Sequence, residues 1–150
     1  MIVKYSDAII TLSVNDYDYF LNTYGAKTVL IPNGFERFPL SEPIIIKEKY
    51  NLTKNDYILF LARIVPEKGL HYLIDAYNKV DISRKLVIAG GDSFAKKYYK
   101  EMNKKCANND KIILTGHVEG EILNELMSNA YLFVLPSDVE GMSMSLLEAF

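Results

Sequence analysis

The sequence contains one cysteine, Cys106, so it can form neither an internal disulfide nor a cysteine-based metal cluster. Its two histidines, His71 and His117, stand far apart with no cysteine beside either, which leaves no metal-ligand motif. Charge of one sign is also missing. Lys and Arg number 17 against 19 Asp and Glu, a net charge of −2, so nothing builds the basic field that nucleic acid would need. Long apolar runs are absent: Ile58–Ala62 and Tyr131–Pro136 fall far short of the roughly 20 residues of a membrane span. The start, Met1-Ile-Val-Lys-Tyr-Ser-Asp7, reaches polar residues too soon for a secretory signal. These absences predict a reduced, cytoplasmic setting, no nucleic-acid partner and no metal.

What is present fits an ordinary globular chain. The 150 residues are 49% hydrophobic and 24% charged, which excludes disorder and a disulfide mini-scaffold. A domain of that size buries roughly 68–70% of its unfolded surface and supports a real core.

Short runs rich in Ile, Val and Leu alternate with segments of helical period. Strands are expected at Asp7–Leu12, Lys27–Ile31, Tyr57–Ile64, Lys85–Ala89, Lys111–Thr115 and Tyr131–Leu135. Helices are expected at Asn15–Tyr24, over a short turn at Lys47–Tyr50, after Gly69, from Ser93 to about Ala107, at Glu119–Asn129 and from Ser143 onward. Leu70, Leu73, Ile74 and Tyr77 mark one face of the helix after Gly69. The alternation predicts an α/β fold, a Rossmann-like parallel sheet with helices on both faces. Phe35–Pro43 reads as a linker, dividing the chain into residues 1–34, a linker and domain start at 35–56, and a main unit at 57–150. The final helix runs into Phe150 without a stop signal, so the chain is expected to be a piece of a larger protein, cut at both ends.

Ligands of such sheets bind beyond the carboxyl ends of the strands. The loops there are Arg63–Gly69, Gly90–Ser93, Gly116–Glu119 and Pro136–Ser143. Arg63 and Lys68 stand just before a helix and suit phosphate oxygens. The structural alternative solvates Lys68 and pairs Arg63 with Glu67. Glu140 and Glu148 flank the start of the last helix, where backbone N–H groups between Gly141 and Ser145 are free to meet a ligand. Here the alternative is a capping box of Ser145 with Glu148.

Read in order, these loops carry Leu61-Ala-Arg63-Ile-Val-Pro-Glu-Lys68-Gly69, Leu86-Val-Ile-Ala-Gly90-Gly91, Ile113-Leu-Thr-Gly116-His-Val118, Phe133-Val-Leu-Pro136-Ser137-Asp-Val-Glu140-Gly141 and Ser145-Leu-Leu-Glu148-Ala149. Glu140 and Glu148 form E-x7-E. The run resembles the donor-binding domain of family 4 (group 1) retaining glycosyltransferases of the GT-B fold. Asp7-Ala-Ile-Ile-Thr-Leu-Ser13 and Val29-Leu-Ile-Pro32-Asn33-Gly34 resemble the close of that family's acceptor-side domain.

The resemblance implies a nucleotide-diphosphate-sugar donor (UDP-, GDP- or ADP-sugar) and transfer of a hexosyl-type sugar, with retention, to a saccharide, lipid-linked or polysaccharide acceptor. Arg63 and Lys68 would hold the diphosphate and neutralise the leaving group. Glu148 would bond the ribose, Glu140 would face the transferred sugar, and Gly141, Met142 and Ser143 would offer backbone N–H groups. Val118 would lie near the base, and Gly90 would allow close approach. No tightly bound cofactor and no metal are implied, and the isolated chain is expected to transfer poorly. Alternatives are a non-catalytic nucleotide-sugar-binding module and a sugar-nucleotide epimerase of the same fold. Met142-Ser143 stands where the family often has Phe-Gly, which bears on the sugar-facing loop.

Other features read as structural. Asp16-Tyr-Asp18 matches D-x-D, but residues two apart on a helix diverge, and acids near its start suit the dipole. His71 reads as a helix-surface residue, His117 as a plain loop residue with a place at the base pocket as its alternative, and Cys106 as packing. Asn51-Leu-Thr53 is a sequon without a secretory signal. Lys96, Lys97, Lys100, Lys104 and Lys105 make a basic helix face, expected to be solvated. Its functional alternative is peripheral contact with anionic lipid at the inner membrane surface.

Overall fold

The structure, a computed structural model, describes residues 2–35, 39–91 and 94–149. It opens with α1 (Ile2–Tyr5), β1 (Ile10–Thr11), α2 (Val14–Tyr24) and β2 (Val29–Leu30). β1 and β2 pair in parallel as a two-stranded sheet of their own, Ile10 against Val29 and Thr11 against Leu30. Both are shorter than the alternating pattern predicts, because each strand has one short neighbour and the ladder ends with it. Ser13 caps α2, accepting from the Asp16 N–H at 3.2 Å and donating to the Asp16 carboxylate at 2.7 Å. The first acid of D-x-D, in the first turn of α2, is therefore the partner of a helix cap.

Next come α3 (Ile45–Tyr50), β3 (Tyr57–Leu61), a 3₁₀ turn (Pro66–Lys68) and α4 (Leu70–Tyr77). They are followed by β4 (Lys85–Ala89), α5 (Lys96–Cys106), β5 (Ile112–Gly116), α6 (Gly120–Asn129), β6 (Leu132–Phe133) and α7 (Met144–Glu148). These four strands form an all-parallel sheet in the order β5-β4-β3-β6. Successive side chains point to opposite faces, so each apolar strand feeds two cores. Phe60, Leu86 and Ile88 pack with Leu70 and Ile74 of α4 and Met102 and Cys106 of α5. Tyr57, Leu59, Val87 and Ala89 pack with Ile46 of α3 and Leu126 of α6. Helices thus cover both faces.

Several more boundaries differ from the sequence pattern, most by a residue or two. β3 ends at Leu61 although Ile64 and Val65 are buried, because the backbone turns there, with the Val65 N–H on the Arg63 carbonyl at 3.0 Å. Those side chains join the core from a loop. β6 pairs only at Leu132 and Phe133, as befits an edge strand with one neighbour. The lysine-rich helix starts at Lys96; its expected first residue, Ser93, lies outside the described residues, as do Asp92 and the chain end at Phe150.

Residues 39–46 are strapped to α6. Asn124 donates to the Pro39 carbonyl at 3.1 Å and Asn129 to the Ser41 carbonyl at 2.9 Å. The buried Glu125 carboxylate accepts the Ile46 N–H at 3.0 Å. Cys106 is buried, and burial pushes its thiol up to about 11, so it is a core residue with little thiolate character. Among the described residues no helix is long and apolar enough to cross a membrane.

Candidate functional site: a cleft at the sheet's switch point

The strand order decides where a site can form. From β3 the chain steps through β4 to β5, then returns through α6 to place β6 on the far side of β3. The loop after β3 leads to α4 on one face of the sheet. The loop after β6 leads to α7, whose Glu148 lies beside α6 on the other face, so a crevice opens between the two loops. The loop after β3 carries Arg63 and Lys68; the loop after β6 carries Glu140.

A cleft of about 470 Å³ opens there, and the loops after β4 and β5 close its side. Arg63, Lys68, Gly90, Val118, Glu140, Met142, Ser143 and Glu148 all line it. Gly141, between Glu140 and Met142, is exposed but is not among the lining residues. Sequence reasoning left out Leu61, Ala62, Ala89, Gly91, Leu123 and Met144, and weighed Ser145 only as a cap. Most of these stand at strand ends beside predicted positions, and that adjacency was the available signal. Exposed His117 also lines the cleft, 3.8 Å from Glu119.

Lys68 Nζ lies 2.6 Å from Glu140 Oε1, and the Ser137 hydroxyl donates to the same oxygen at 2.7 Å. Partial burial pushes the Glu140 carboxyl up, but the hydrogen bonds from Lys68 and Ser137 and the Lys68 charge outweigh it and hold it below the usual glutamate range. Lys68 is thus held, not simply solvated. Arg63 makes no ion pair with Glu67 among the described residues, and its side chain is exposed beside the cleft. The backbone joins the same two loops, since the Asp138 N–H donates to the Glu67 carbonyl at 2.9 Å.

Two glycines are explained by backbone proximity. Gly69 sits at φ +67°, and a Cβ there would lie 1.9 Å from the Pro136 carbonyl oxygen. A Cβ on Gly90 would lie 2.0 Å from the Ala62 carbonyl oxygen, so its missing side chain already serves the closeness of adjacent strands.

The last helix does not start with the capping box that was the structural alternative. Ser143 is the cap, its hydroxyl accepting the Leu146 N–H at 3.4 Å, and Ser145 lies inside the helix. Glu148 is thereby released from the box and borders the cleft. From the other side, the Asn33 N–H reaches Met142 Sδ at 3.2 Å, and its side-chain amide donates to the Met142 carbonyl at 3.3 Å. Among the described residues no group of three His, Cys, Asp or Glu side chains could hold a metal ion.

Residues 43–150 match the family model described as glycosyl transferases group 1. The chain is 30% identical over 137 residues to the uncharacterized glycosyltransferase MJ1607 of Methanocaldococcus jannaschii, covering 85% of this chain and 35% of that protein. It is 26% identical to mannosylfructose-phosphate synthase of Agrobacterium fabrum, over 99% of this chain and 37% of that one. Among solved structures, Anabaena Alr3699/HepE in complex with UDP and glucose superposes with a TM-score of 0.84 at 21% identity, covering 99% of this chain and 43% of that one. Sucrose-phosphate synthase from Thermosynechococcus elongatus superposes with a TM-score of 0.76 at 23% identity, covering 99% and 39%. The chain belongs to the group 1 glycosyltransferase family and has the fold of half a GT-B enzyme. It spans about a third of the length of these curated relatives.

Proposed function

We propose that the cleft binds a nucleotide-diphosphate-sugar and that the whole protein transfers its hexosyl group to a saccharide, lipid-linked or polysaccharide acceptor with retention of configuration. The observation that carries this reading is the meeting of Arg63 and Lys68, from the segment after β3, with Glu140, from the segment after β6, and Glu148, from α7, in one cleft at the switch point. Arg63 and Lys68 take the diphosphate, where two cations neutralise the charge that develops on the leaving group. Glu148 bonds the ribose hydroxyls, and Val118 borders the base. Glu140 faces the sugar, and the Gly141–Ser143 backbone supplies N–H donors. UDP, GDP and ADP all remain candidate nucleotides; the Anabaena neighbour was solved with UDP. Residues 1–34 serve as the close of an acceptor-side domain, 35–56 as linker and domain start, and 57–150 as the donor unit.

The test is a ligand-observed NMR titration of the chain with UDP, GDP, ADP and their sugars, repeated on Arg63→Ala, Lys68→Ala and Glu148→Ala. One nucleotide is expected to bind, and all three substitutions to weaken it. A nucleotide bound equally well by all three variants overturns the assignment.

A second reading concerns α5. Lys96, Lys100 and Lys104 follow one another at i+4, with Lys97 beside them, on the side opposite buried Met102 and Cys106. Lys105 is drawn away to Asp75 at 2.9 Å. Just before the helix, Phe94 is 99% exposed. An exposed aromatic next to lysines suits an anionic lipid surface, at about 1 kcal/mol per lysine. Co-sedimentation with phosphatidylglycerol vesicles should fall when the four lysines become Glu; no binding, or unchanged binding, overturns it.

A further inference from the structure

We propose that Tyr98, on α5 and outside the lining of the cleft, is the positioning residue for Lys68, its hydroxyl fixing the first turn of α4 and with it the turn that presents Lys68 to Glu140. The proposal rests on the donor-site reading of the cleft.

The first amides of a helix have no partner within it, and a side chain at the cap usually supplies one. At α4 the cap position is Gly69, which has no side chain to offer. None can be introduced, because a Cβ would meet the Pro136 carbonyl oxygen at 1.9 Å on a backbone already at φ +67°. The partner comes from the neighbouring helix instead. The Tyr98 hydroxyl accepts the His71 N–H at 3.1 Å and lies 2.8 Å from His71 Nδ1. With the imidazole proton on Nε2, the hydroxyl accepts from the amide and donates to Nδ1, so one hydroxyl serves both His71 groups that face it. The two rings meet edge-on, 5.8 Å apart at 89°.

Lys68 stands three residues before His71, at the end of the 3₁₀ turn that runs into α4 through Gly69. On its other side the turn is tied to the opposite wall by the Asp138–Glu67 backbone bond and the Lys68–Glu140 pair. The turn is therefore held at both ends, and Tyr98 is the only side chain among the described residues that binds the helix end of it by hydrogen bonds. Releasing that end lets the turn rotate about Gly69 and moves the Lys68 ammonium relative to the diphosphate site.

The experiment compares the full chain with Tyr98→Phe, which removes one oxygen atom, and with His71→Ala, which keeps the amide bond to the hydroxyl. Three quantities are read: amide exchange at Gly69 and His71, the Glu140 carboxyl titration by carbon-13 NMR, and the affinities for UDP and for uridine. In Tyr98→Phe, exchange at His71 should quicken about tenfold, as for loss of one modest hydrogen bond. The Glu140 titration should move up towards the ordinary glutamate range. UDP should weaken about three- to tenfold with uridine unchanged, a phosphate-specific loss of that same order. His71→Ala should fall between wild type and Tyr98→Phe. An unmoved Glu140 titration in Tyr98→Phe overturns the proposal whether or not any nucleotide binds. Equal weakening of UDP and uridine also overturns it, since a merely structural role would do that. If wild type binds neither, the donor-site reading fails and the Glu140 titration alone decides the role of Tyr98.

Discussion

Lys68 and Glu140, 72 residues apart in sequence, form a 2.6 Å ion pair where the loops after β3 and β6 meet. Their side chains are only 17% and 27% exposed, so the pair is partly shielded from solvent and counterions. On the proposed donor reading, an anionic donor entering the cleft would compete with Glu140 for the same ammonium.

That competition gives the two substitutions opposite signs. Lys68→Ala should weaken UDP about tenfold, roughly 1.4 kcal/mol, as for loss of a charge-assisted bond partly offset by water. Glu140→Gln removes a like charge beside the phosphates and frees Lys68, and should tighten UDP about two- to threefold, within the range of a partly exposed pair. Isothermal titration with UDP checks both, and weakening in Glu140→Gln would contradict the competition.

The same pair predicts a pH dependence of stability. The folded Glu140 carboxyl lies below its usual range, so folding favours the ionised form. Its stabilising contribution is complete above the ordinary glutamate value of about 4.3 and is lost as pH falls through the lower folded value. The stability gap between wild type and Glu140→Gln should stay constant from neutral pH to about 5 and close below that range. Urea unfolding across that range measures it, and a gap that widens on acidification would reverse the sign.

The fold was most legible where burial is uniform. Lys85–Ala89 carries a continuous apolar run, Leu86 to Ala89, and its predicted and observed ends coincide, because both faces of a central parallel strand are covered. The edge and short strands were overdrawn, since Leu12, Ile31 and Leu135 are apolar yet lie outside the paired register. Within the site, the residue types were readable from the loops that follow strands. Their meeting followed only from the resemblance, because it depends on β6 lying beside β3, a pairing no local pattern encodes. Spacing to Glu148 singles out Ser145 as the cap, whereas the backbone geometry uses Ser143. The Tyr98–His71 contact joins residues 27 apart on separate helices, and periodicity shows only that each lies on its own helix.

The strap between residues 39–46 and α6 predicts a stability effect remote from the cleft. Glu125→Ala leaves the Ile46 N–H without its acceptor at the start of α3, and should cost about 1–3 kcal/mol. Glu125→Gln keeps a carbonyl acceptor in the same place and should cost less. Urea denaturation at neutral pH ranks them, and equal losses would mean that packing around the side chain, not the bond, is what matters.

Three glycines of the cleft loops separate folding from binding. Alanine at Gly90 drives a Cβ to 2.0 Å from a carbonyl oxygen of the neighbouring strand loop, where the backbone cannot yield without opening the β3–β4 contact. Alanine at Gly69 meets a similar contact and adds the cost of a left-handed backbone, about 1–2 kcal/mol. Both should lower stability by about 3 kcal/mol or more, the range of strong overpacking with strain. At Gly141 an added Cβ has nothing within 4 Å, so Gly141→Ala should leave stability within about 0.5 kcal/mol. Thermal unfolding of the three variants tests the ranking. Because Gly141→Ala stays folded, a selective loss of nucleotide-sugar binding relative to the free nucleotide would then report on the loop's contact with the sugar. If Gly141→Ala unfolds as readily as Gly90→Ala, the loop is packed more tightly than the open space around it implies.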